Sequence, residues 1–393
     1  MDAAKIFLKK GRAGPTYGRH PWVFSNYIER VEGAPQDGAD VAVYGDRGDF
    51  LAWGIFNSKS DIRARLYSWT EKEVLSKEFI FEKIREAIEL RRKVLKFDQA
   101  DGAVRLIFSE GDGLSGLVVD KYGDYLVVQI TSLALFKREF QVIEALVEYA
   151  RPKGIFFRAE KNILKAEGVA ADDGVLWGKI PDEPIEVVEN GIKFKVDLRG
   201  GQKTGFYTDQ RENRMLARNL CEGRRVLDLC TYTGGFALGL AKFGAKEVVG
   251  VDASEEAITI AKENAELNGI ENISFECKDA FEFLQNETSQ FDMIILDPPK
   301  FAPSKGSRDK ALRAYFRLNL EAIRVLAPKG IFISCSCSHQ IGRLDFNSVV
   351  ASVFKKVGRS GKILFQGSQS PDHPISITCP ETQYLKSIFC LAD

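Results

Sequence analysis

Four aspartates that lie in or directly after apolar runs are the residues of this chain best placed to do chemistry. The first lies in the run Val226–Leu229, which leads into a glycine-containing loop from Cys230 to Phe236. The other three, Asp252, Asp279 and Asp297, follow three further runs. Glycine has no Cβ, so its backbone can approach a ligand closely, and the helix start behind the loop supplies oriented N–H groups. The pattern predicts a strand–loop–helix unit that binds a ligand.

The apolar runs alternate with helical stretches, which predicts an α/β fold with a mostly parallel sheet. Ligands of such sheets bind beyond the carboxyl ends of the strands, where all four aspartates would lie. Asp252, about 20 residues past the glycine loop, is placed to accept hydrogen bonds from a ribose diol. Asp279 could reach an adenine amine. Each carboxylate could instead only cap a turn, but four at successive strand ends favour one shared ligand.

Two features favour S-adenosylmethionine over a dinucleotide as that ligand. The loop lacks the G-x-G-x-x-G pattern that a pyrophosphate needs. An adenosine joined to a zwitterionic amino acid and a sulfonium cation suits an acid-rich pocket. The order of the motifs resembles that of class I methyltransferases, which implies a Rossmann-like domain. We assign the following residues to cofactor binding: Asp228, Thr231, Gly234, Gly235, Phe236, Asp252, Asp279, Phe206, Asp209 and Gln210.

A fifth apolar run, Gly330–Ile333, leads into the sequence Ser-Cys-Ser-Cys-Ser-His. Alternate residues of a strand share a face, so Cys335, Cys337 and His339 would point the same way. Buried cysteines often act only as small apolar residues. A zinc site needs three or four ligands, and no second Cys/His cluster accompanies this trio, so we expect no metal. The remaining alternative is a nucleophile.

A thiolate at the cofactor end of the sheet would allow methylation of carbon 5 of a pyrimidine. That carbon is too electron-poor to take a methyl group from sulfur unaided. Addition of a thiolate to carbon 6 produces an enamine, whose carbon 5 can then attack the sulfonium methyl. A free thiol has a pKa of about 8.5, so only a few per cent is thiolate at pH 7 unless neighbours lower that pKa.

Several motifs spread over the whole chain carry a family resemblance. Ser336–Ser338, with its cysteine seven residues past the preceding glycine, resembles the Thr/Ser-Cys-Ser motif of RNA 5-methylcytosine methyltransferases. Gly18–Asn26 resembles the opening of a PUA domain, and Arg105–Leu117 resembles the central domain of the same enzymes. Gly205–Arg211 and Asp297–Phe301 complete the match. The chain resembles the PUA-containing ribosomal RNA large-subunit cytosine-5 methyltransferases.

This resemblance implies that Cys337 is the nucleophile and that Asp297 hydrogen-bonds the polar edge of the base. It also implies large-subunit ribosomal RNA as the partner, and a homodimer would fit the relatives. Many wider cytosine-5 RNA enzymes carry a second cysteine after the fourth-strand aspartate, where this chain has lysine, so the base that removes the carbon 5 proton is unidentified. We assign the following residues to substrate binding: Pro298, Pro299, Lys300, Arg308, Lys310 and Arg313.

The segment from Lys300 to Arg324, called the basic patch below, is strongly charged in a chain that is neutral overall. The chain has 55 basic and 55 acidic side chains, whereas the patch has seven Lys/Arg against two acids, a net charge of +5. Phe301, Tyr315 and Phe316 are interleaved with these charges. Basic and aromatic groups together suit phosphates and unstacked bases. The alternative is a solvated helix face, but the position beside Asp297 favours RNA. The basic residues are Lys300, Lys305, Arg308, Lys310, Arg313, Arg317 and Arg324.

The length of 393 residues, with 45% apolar content, allows more than one core. We predict a β-rich PUA-like RNA-binding domain over 1–72, a central α+β domain over 73–190 and a class I methyltransferase domain over 191–393. Asn190-Gly191 predicts the turn of a hairpin that opens the last domain. Seven scattered cysteines do not suit a secreted disulfide framework, and the chain has neither an apolar leader nor an 18-residue apolar run. We expect a soluble, cytoplasmic protein.

Three other functions stay open at this point. A ribosomal guanine methyltransferase also uses an Asp-Pro-Pro motif and a basic loop, but it transfers to nitrogen and needs no cysteine, so Cys337 discriminates against it. A non-catalytic RNA-binding assembly factor would be separated from an enzyme by its affinity for S-adenosylmethionine. A small-molecule methyltransferase would leave the N-terminal 190 residues unexplained.

Overall fold

The computed structural model describes residues 3–73, 75–200, 205–301 and 308–393, so Lys305 of the basic patch lies outside the described residues. The chain divides into two compact units. The first unit comprises Met1–Val187, Val196–Phe206 and Pro371–Thr382. The second unit comprises Val188–Lys195, Tyr207–Ser370 and Gln383–Asp393. The division into domains at residues 72 and 190 stays a prediction.

A six-stranded sheet forms the first part of the first unit, in the order β2-β6-β5-β4-β1-β3. Ile6, Val41 and Ala64 are fully buried and belong to one apolar core of this sheet. The β-rich character predicted for this part of the chain agrees with these strands. The elements are β1 Ala4–Leu8, α1 Gly14–Tyr17, β2 Trp22–Phe24, β3 Ile28–Glu32, β4 Asp40–Tyr44, β5 Phe50–Phe56 and β6 Ile62–Ser68.

The rest of the first unit is built on a five-stranded sheet in the order β11-β10-β9-β8-β7. The first helix of this part begins at Lys77, because Ser76 Oγ accepts a hydrogen bond from Phe79 N (3.3 Å) and caps it. The elements are α2 Lys77–Glu89 with a π-helical turn at Leu90–Val94, β7 Ala103–Phe108, β8 Leu117–Tyr122, β9 Tyr125–Ile130, α3 Leu133–Phe136, α4 Glu139–Ala150, β10 Gly154–Phe157, α5 Lys161–Glu167 and β11 Gly174–Gly178.

The segment Pro371–Thr382, although close to the C-terminus, is held inside the first unit by buried polar groups. Arg91 is fully buried; its Nη2 donates to the carbonyl of Asp372 (2.6 Å), while Asp112 forms an ion pair with the same guanidinium (2.6 Å). Asp372 Oδ2 accepts a hydrogen bond from Arg105 N (3.0 Å). Breaking one of these buried contacts would leave an uncompensated polar group, which fixes the segment in place.

The predicted hairpin around Asn190-Gly191 is confirmed. Strands β12 (Ile185–Glu189) and β13 (Ile192–Val196) form a two-stranded sheet. The turn residues Asn190 and Gly191 have φ angles of 52° and 81°. Positive φ at both central positions is the requirement of a two-residue hairpin turn of type I′.

The second unit is built on a seven-stranded sheet in the order β16-β15-β14-β17-β18-β20-β19. The first five strands of that order are parallel, and β20 runs antiparallel to both neighbours, so the prediction of a mostly parallel sheet is confirmed. The strands are β14 Arg225–Leu229, β15 Glu247–Asp252, β16 Ile273–Cys277, β17 Phe291–Leu296, β18 Leu326–Ser336, β19 Gly361–Gly367 and β20 Lys386–Ala392. The helices are α6 Arg211–Arg218, α7 Ala237–Lys242, α8 Glu255–Leu267, α9 Ala280–Asn286, α10 Arg308–Arg324 and α11 Arg343–Val357.

Alternate residues of this sheet enter two separate apolar layers. On β17, Met293 and Ile295 join one buried cluster, while Ile294 and Leu296 join the other with α10 and α11. Burial on both faces fixes the register of each strand, because a shift by one residue would exchange the layers. The carboxyl ends of β14, β15, β16, β17 and β18 therefore meet at one defined edge. No helix among the described residues is long and apolar enough to cross a membrane.

Candidate active site

The loop between β14 and α7 has a constrained backbone. Cys230 and Tyr232 have φ angles of 61° and 52°, which are uncommon for residues other than glycine and are found most often at functional sites. Gly250 on the neighbouring strand must be glycine, because a Cβ there would lie 2.6 Å from the ring of Phe275 and 3.2 Å from Thr231 Cγ2. Close packing below the loop thus fixes its position at the edge of the sheet.

Asp228 connects the strand to this loop from one residue before the end of β14. Its side chain is 1% exposed, and its Oδ2 accepts hydrogen bonds from Thr231 Oγ1 (2.6 Å) and Ala237 N (3.0 Å). Its Oδ1 is buried and has no hydrogen-bond partner among the described residues. Burial raises the pKa of Asp228 to about 7, against the opposing effect of these two donors. A buried acceptor without a donor fits a ligand that carries an N–H group, such as the ammonium of S-adenosylmethionine.

Asp252 is the last residue of β15 and is half-buried. Its Oδ2 accepts a hydrogen bond from Tyr232 N (2.9 Å) and its Oδ1 accepts one from Ser254 N (3.0 Å). Each carboxylate oxygen can accept a second hydrogen bond. The carboxylate is therefore fixed against the glycine loop and retains the capacity to bind a ribose diol.

Asp279 has a structural role that the sequence left as an alternative. It caps α9, because its Oδ1 accepts hydrogen bonds from Phe281 N (2.9 Å) and Glu282 N (3.2 Å). The side chain is exposed, and Oδ2 has no hydrogen-bond partner among the described residues. Capping of α9 is sufficient to explain why an aspartate stands at position 279. Contact of this carboxylate with an adenine amine stays a prediction.

The remaining loop residues assigned to the cofactor lie between β14 and α7, and their contact with the cofactor stays a prediction. Gly234 has a φ of 86°, and a Cβ on Gly235 would lie 2.9 Å from Arg214 Nη2. Phe236 is 5% exposed and its ring centre lies 5.9 Å from the guanidinium carbon of Arg214. Arg214 is itself held by Glu189 Oε1 (2.7 Å). Glycine at position 235 thus leaves room for a buried ion pair behind the loop.

Gln210 lies in a buried hydrogen-bond chain that reaches Asp297, and the neighbouring Asp209 is held by a bond of its own. Asn213 Nδ2 donates to Gln210 Oε1 (2.6 Å), and Gln210 Nε2 donates to Asp297 Oδ2 (2.9 Å). Tyr384 donates its hydroxyl to Asp209 Oδ2 (2.6 Å). The chain orients the half-buried carboxylate of Asp297 just past the end of β17. Gln210 thus positions Asp297, and the contact of Asp209 and Gln210 with the cofactor stays a prediction.

Phe206, the last cofactor-binding residue assigned from the sequence, belongs to the first unit. It is 5% exposed, and its backbone N–H and C=O both bond the hydroxyl of Tyr122 (3.1 and 3.2 Å). These bonds account for its place in the fold. Its role toward the cofactor stays a prediction.

Cys335 and Cys337 lie in different environments, because β18 ends between them. Cys335 is completely buried in the apolar layer below α7, with its Sγ 3.2 Å from Ser387 Oγ, and burial raises the pKa of this thiol well above its usual value. Cys337 is the first residue beyond the strand and is half-buried. His339 is exposed and its ring lies 5.5 Å from that of Tyr384. The strand ends at Ser336, so the predicted alternation does not extend to Cys337 and His339.

The serines of the same segment face α10, where Tyr315 and Asn319 hold them. Ser334 Oγ donates to Asn319 Oδ1 (2.7 Å), and Ser336 Oγ donates to the hydroxyl oxygen of Tyr315 (3.0 Å), which also bonds Ser338 Oγ (3.1 Å). Tyr315 is 0% exposed, so its assignment to the RNA-binding aromatics is wrong. Tyr315 and Asn319 lie four residues apart and so share one helix face, but no signal in the sequence indicates that this face contacts the serines.

The residues assigned to substrate binding lie beyond β17 and at the start of α10. Pro298 is buried, whereas Pro299, Lys300, Lys310 and Arg313 are exposed. Other basic side chains of the patch have partners inside the unit: Arg308 binds Asp345 (2.8 Å), Arg317 lies over the ring of Phe281 (5.5 Å) and Arg324 binds Glu321 (2.7 Å). In the part of the chain that the structure describes, Lys310 and Arg313 have no acidic partner, so they are the cations of α10 most available to phosphate.

One cluster in the first unit, His20, Cys379 and Glu381, has three ligand-type atoms within 4.8 Å of one another. Hydrogen bonding explains it without a metal. His20 Nδ1 accepts a hydrogen bond from Trp22 N (3.3 Å), so the proton resides on Nε2, which donates to Glu381 Oε2 (3.2 Å). A histidine that binds a metal normally donates from its other nitrogen. Burial also raises the pKa of Cys379 to about 12, which disfavours a thiolate ligand.

Replacement of Asp252 by alanine is expected to weaken the binding of S-adenosylmethionine. Each hydrogen bond to a charged acceptor contributes about 1.5–3 kcal/mol, so the loss of a ribose contact corresponds to an affinity at least tenfold lower. Calorimetric titration measures this directly. Glu256→Ala, an exposed acid in the first turn of the following helix, is the matched control. Unchanged affinity in Asp252→Ala would overturn the assignment.

Two family models match this chain. Residues 220–380 match a model described as a methyltransferase domain, and residues 6–69 match one described as a PUA-like domain. The first match contains the glycine loop, Cys335 and Cys337. The second covers the six-stranded sheet.

Curated relatives match over nearly the full length. Ribosomal RNA large subunit methyltransferase I from Aeromonas hydrophila subsp. hydrophila is 42% identical over 393 residues, which covers 98% of each chain. The protein of the same name from Vibrio vulnificus (strain YJ016) is 38% identical over 395 residues, 99% of each chain.

Two solved structures have the same fold. One is described as an S-adenosylmethionine-dependent methyltransferase from Streptococcus mutans, with a TM-score of 0.84, and the other is SMU.776, a methyltransferase complexed with SAH, with a TM-score of 0.85. Each is 21% identical and covers 98% of this chain and 99% of its own.

The constrained loop, the buried acceptor of Asp228 and the fixed carboxylate of Asp252 agree with these matches. The fold is that of a class I methyltransferase with an N-terminal PUA-like domain, and its methyl donor is S-adenosylmethionine. From its identity to curated relatives over almost its whole length, the chain belongs to the ribosomal RNA large subunit methyltransferase I family.

Proposed function

We propose that this protein transfers a methyl group to carbon 5 of a cytosine in large-subunit ribosomal RNA through a covalent adduct with Cys337. The observation that carries the proposal is the position of a half-buried thiol directly beyond β18, at the carboxyl edge of the parallel sheet. The carboxylate of Asp297 lies at the end of the adjacent strand, whose Leu296 pairs with Ser334. A nucleophile and a hydrogen-bond acceptor thus occupy neighbouring strand ends.

S-adenosylmethionine supplies an electrophilic methyl group when bound. In the proposed reaction the Cys337 thiolate forms a bond to carbon 6 of cytosine, and the electron pair of the carbon 5–carbon 6 double bond moves to carbon 5, which becomes nucleophilic. After methylation, loss of the carbon 5 proton restores the double bond and breaks the sulfur–carbon bond. Asp297 accepts a hydrogen bond from the polar edge of the base, and Gln210 keeps its carboxylate oriented.

Each of the proposed cofactor carboxylates would bind a different part of the ligand from its own strand end. Asp228 Oδ1 would accept from the ammonium, Asp252 would bind the ribose diol, and Asp279 would contact the adenine amine through its remaining oxygen. The glycine loop allows the ligand to approach the backbone closely. This arrangement follows the general rule that ligands of open α/β sheets lie beyond the carboxyl ends of the strands.

Ribosomal RNA is proposed as the substrate because the curated relatives are named for it. A second reason is that Lys310 and Arg313, exposed cations of α10, have no acidic partner among the described residues. We further propose that the PUA-like domain over residues 1–72 contributes to RNA binding and that the protein acts in the cytoplasm. The seven cysteines are all free, which suits a reducing compartment. A homodimer stays a prediction.

Bisulfite sequencing tests the proposed reaction on the natural substrate. Ribosomal RNA from a deletion strain is compared with that of its parent and of the deletion strain that carries the gene on a plasmid. We expect one cytosine of the large-subunit RNA to lose its protection from deamination in the deletion strain and to regain it on complementation. An unchanged pattern would overturn the assignment to carbon 5 of cytosine.

Replacement of Lys310 and Arg313 by alanine is expected to weaken RNA binding and to flatten its salt dependence. Each lost phosphate contact lowers the slope of log affinity against log salt by about 0.7–0.9. The full triple variant with Arg308→Ala also removes the ion pair to Asp345, so the double variant is the cleaner test. Filter binding at several salt concentrations measures the slope.

The matched control for the double variant is Lys355→Ala with Lys356→Ala, two basic residues in the last turn of α11. The affinity for S-adenosylmethionine is expected to stay unchanged in both pairs, since neither pair lies at the glycine loop. An unaltered salt slope in Lys310→Ala/Arg313→Ala would mean that the basic patch is only a solvated helix face.

A further inference from the structure

Lys386 is a buried lysine at the cofactor end of the sheet that no step described above uses. It begins β20 and pairs with Ser336, the last residue of β18. Lys386 is buried, with 4% of its surface exposed. Its Nζ donates hydrogen bonds to the carbonyl oxygens of Ser338 and Tyr384, at 2.7 Å each. The ammonium therefore joins the residue that follows Cys337 to the start of β20.

The charge of this ammonium is not balanced by a carboxylate. Among the described residues, Lys386 takes part in no ion pair, and two of its three N–H donors have partners. A buried ammonium without a counter-charge is costly, because two neutral carbonyls replace only part of its hydration. Burial accordingly lowers the pKa of Lys386 to about 8, while a charge on Cys337 raises it. The protonated form still predominates at pH 7, so a positive charge faces the turn.

Several other titratable groups at this end of the sheet carry no positive charge at pH 7. The hydroxyls of Tyr207 and Tyr315 have pKa values raised first of all by burial, so both are neutral at pH 7. Asp297 would repel a thiolate, and buried Cys335 stays protonated. Two further cations, Arg343 and Lys300, lower the pKa of Lys386 by repulsion. Lys300 is exposed, and Arg343 Nη2 donates a hydrogen bond to the carbonyl of Gly367 (2.8 Å).

We propose that Lys386 is a positioning residue that holds the Cys337–Ser338 turn and supplies the buried positive charge that stabilises the Cys337 thiolate. The inference rests on the proposed role of Cys337 as nucleophile. The thiol proton leaves to solvent, and Lys386 keeps its three protons, so no bond to the lysine forms or breaks. Lys386 thereby takes the part that a neighbouring cation takes at other activated cysteines.

The rate of Cys337 alkylation by iodoacetamide as a function of pH tests this proposal without RNA or cofactor. One tryptic peptide, residues 330–343, carries both cysteines of the segment, so Cys335→Ala is the background and peptide mass spectrometry follows Cys337. With Lys386 present, we expect the midpoint of the alkylation rate against pH to lie below the usual thiol pKa of about 8.5. Lys386→Met should raise it and slow alkylation at pH 7 by about tenfold.

Two further variants separate charge from packing. Lys386→Arg keeps the charge and is expected to keep the low midpoint. Lys362→Met, on exposed strand β19, is the matched control and should leave the profile unchanged. An unchanged midpoint in Lys386→Met, or a midpoint in Lys386→Arg as high as that of the methionine variant, would overturn the proposal.

If Lys386→Met does not fold, the pH profile of Cys337 alkylation with Lys386 present still tests the proposal. A midpoint at or above about 8.5 would show that the Cys337 thiolate is not stabilised, which would overturn the proposal. This readout is independent of methyl transfer. If adducts with cytosine form but the midpoint is ordinary, the role of Lys386 fails while the proposed function stands. If the midpoint is low but no cytosine is methylated, the proposed function fails instead.

Discussion

Cys337→Ala is expected to abolish methyl transfer to RNA, whereas Cys335→Ala is expected to retain substantial activity. Loss of the nucleophile removes the covalent route, and removal of a catalytic nucleophile costs on the order of 10⁴-fold or more in rate. Cys335 is buried in the apolar layer and its high pKa keeps it protonated, so its loss affects packing and not chemistry. Transfer of labelled methyl to large-subunit RNA measures both variants.

The control for the two cysteine variants is a measurement of whether the cofactor site and the fold stay intact. Calorimetric titration of S-adenosylmethionine should give the same affinity for wild type and Cys337→Ala, because that residue lies at β18 and not at the glycine loop. Cys335→Ala should show at most a modest loss of stability, as expected for a small change in a core. Full activity in the double variant would contradict the cytosine-5 assignment and favour transfer to a guanine nitrogen.

Asp297→Ala is expected to lower kcat/KM by about 10²–10³-fold. A positioned hydrogen-bond partner of a reacting group contributes about this factor in other enzymes. Gln210→Ala should have a smaller effect, because the carboxylate then loses one orienting bond of 2.9 Å but is still present. Steady-state methylation of an RNA fragment compares the two.

Asp292→Ala is the matched control for Asp297→Ala, because Asp292 lies at the opposite end of the same strand. Its carboxylate accepts a hydrogen bond from Arg225 N (2.9 Å), far from the carboxyl edge of the sheet. Its replacement should affect stability more than kcat/KM. Equal activity of Asp297→Ala and wild type would remove Asp297 from the mechanism.

Much of the fold of the second unit could be predicted from the sequence because its signals are local. The apolar runs ending near Asp228, Asp252 and Asp297 are buried on both faces, and a strand of this type needs no knowledge of its partners to be recognised. The Asn190-Gly191 turn is specified by the two residues that tolerate positive φ.

Features that depend on distant contacts could not be predicted. Tyr315 reads as one aromatic among basic residues, yet its hydroxyl bonds two serines beyond β18. Asp279 combines the strand-end position of a ligand with the geometry of a helix cap, and only the structure shows the cap. Pro371–Thr382 belongs to the first unit through its bonds to buried Arg91 and to Arg105, some 270 residues away in sequence.

Lys386 is the clearest case of a site residue that sequence patterns miss. Its neighbours in the sequence, Leu385 and Ser387, give no sign of chemistry, and lysine usually lies on the surface. It reaches the cysteine turn only because β20 inserts antiparallel beside β18 and places it opposite Ser336. Such a pairing between strands some 50 residues apart has no local signature.

Covalent trapping tests the central claim most directly. Large-subunit RNA with 5-fluorocytosine at the cytosine mapped by bisulfite sequencing is incubated with protein and S-adenosylmethionine, since fluorine at carbon 5 blocks the final proton loss. A protein–RNA adduct that resists denaturation is expected for wild type and for Cys335→Ala, with the RNA attached to the peptide at Cys337, and no adduct is expected for Cys337→Ala. An adduct that persists in Cys337→Ala and disappears in Cys335→Ala, or the absence of any adduct with active wild-type protein, would contradict the account.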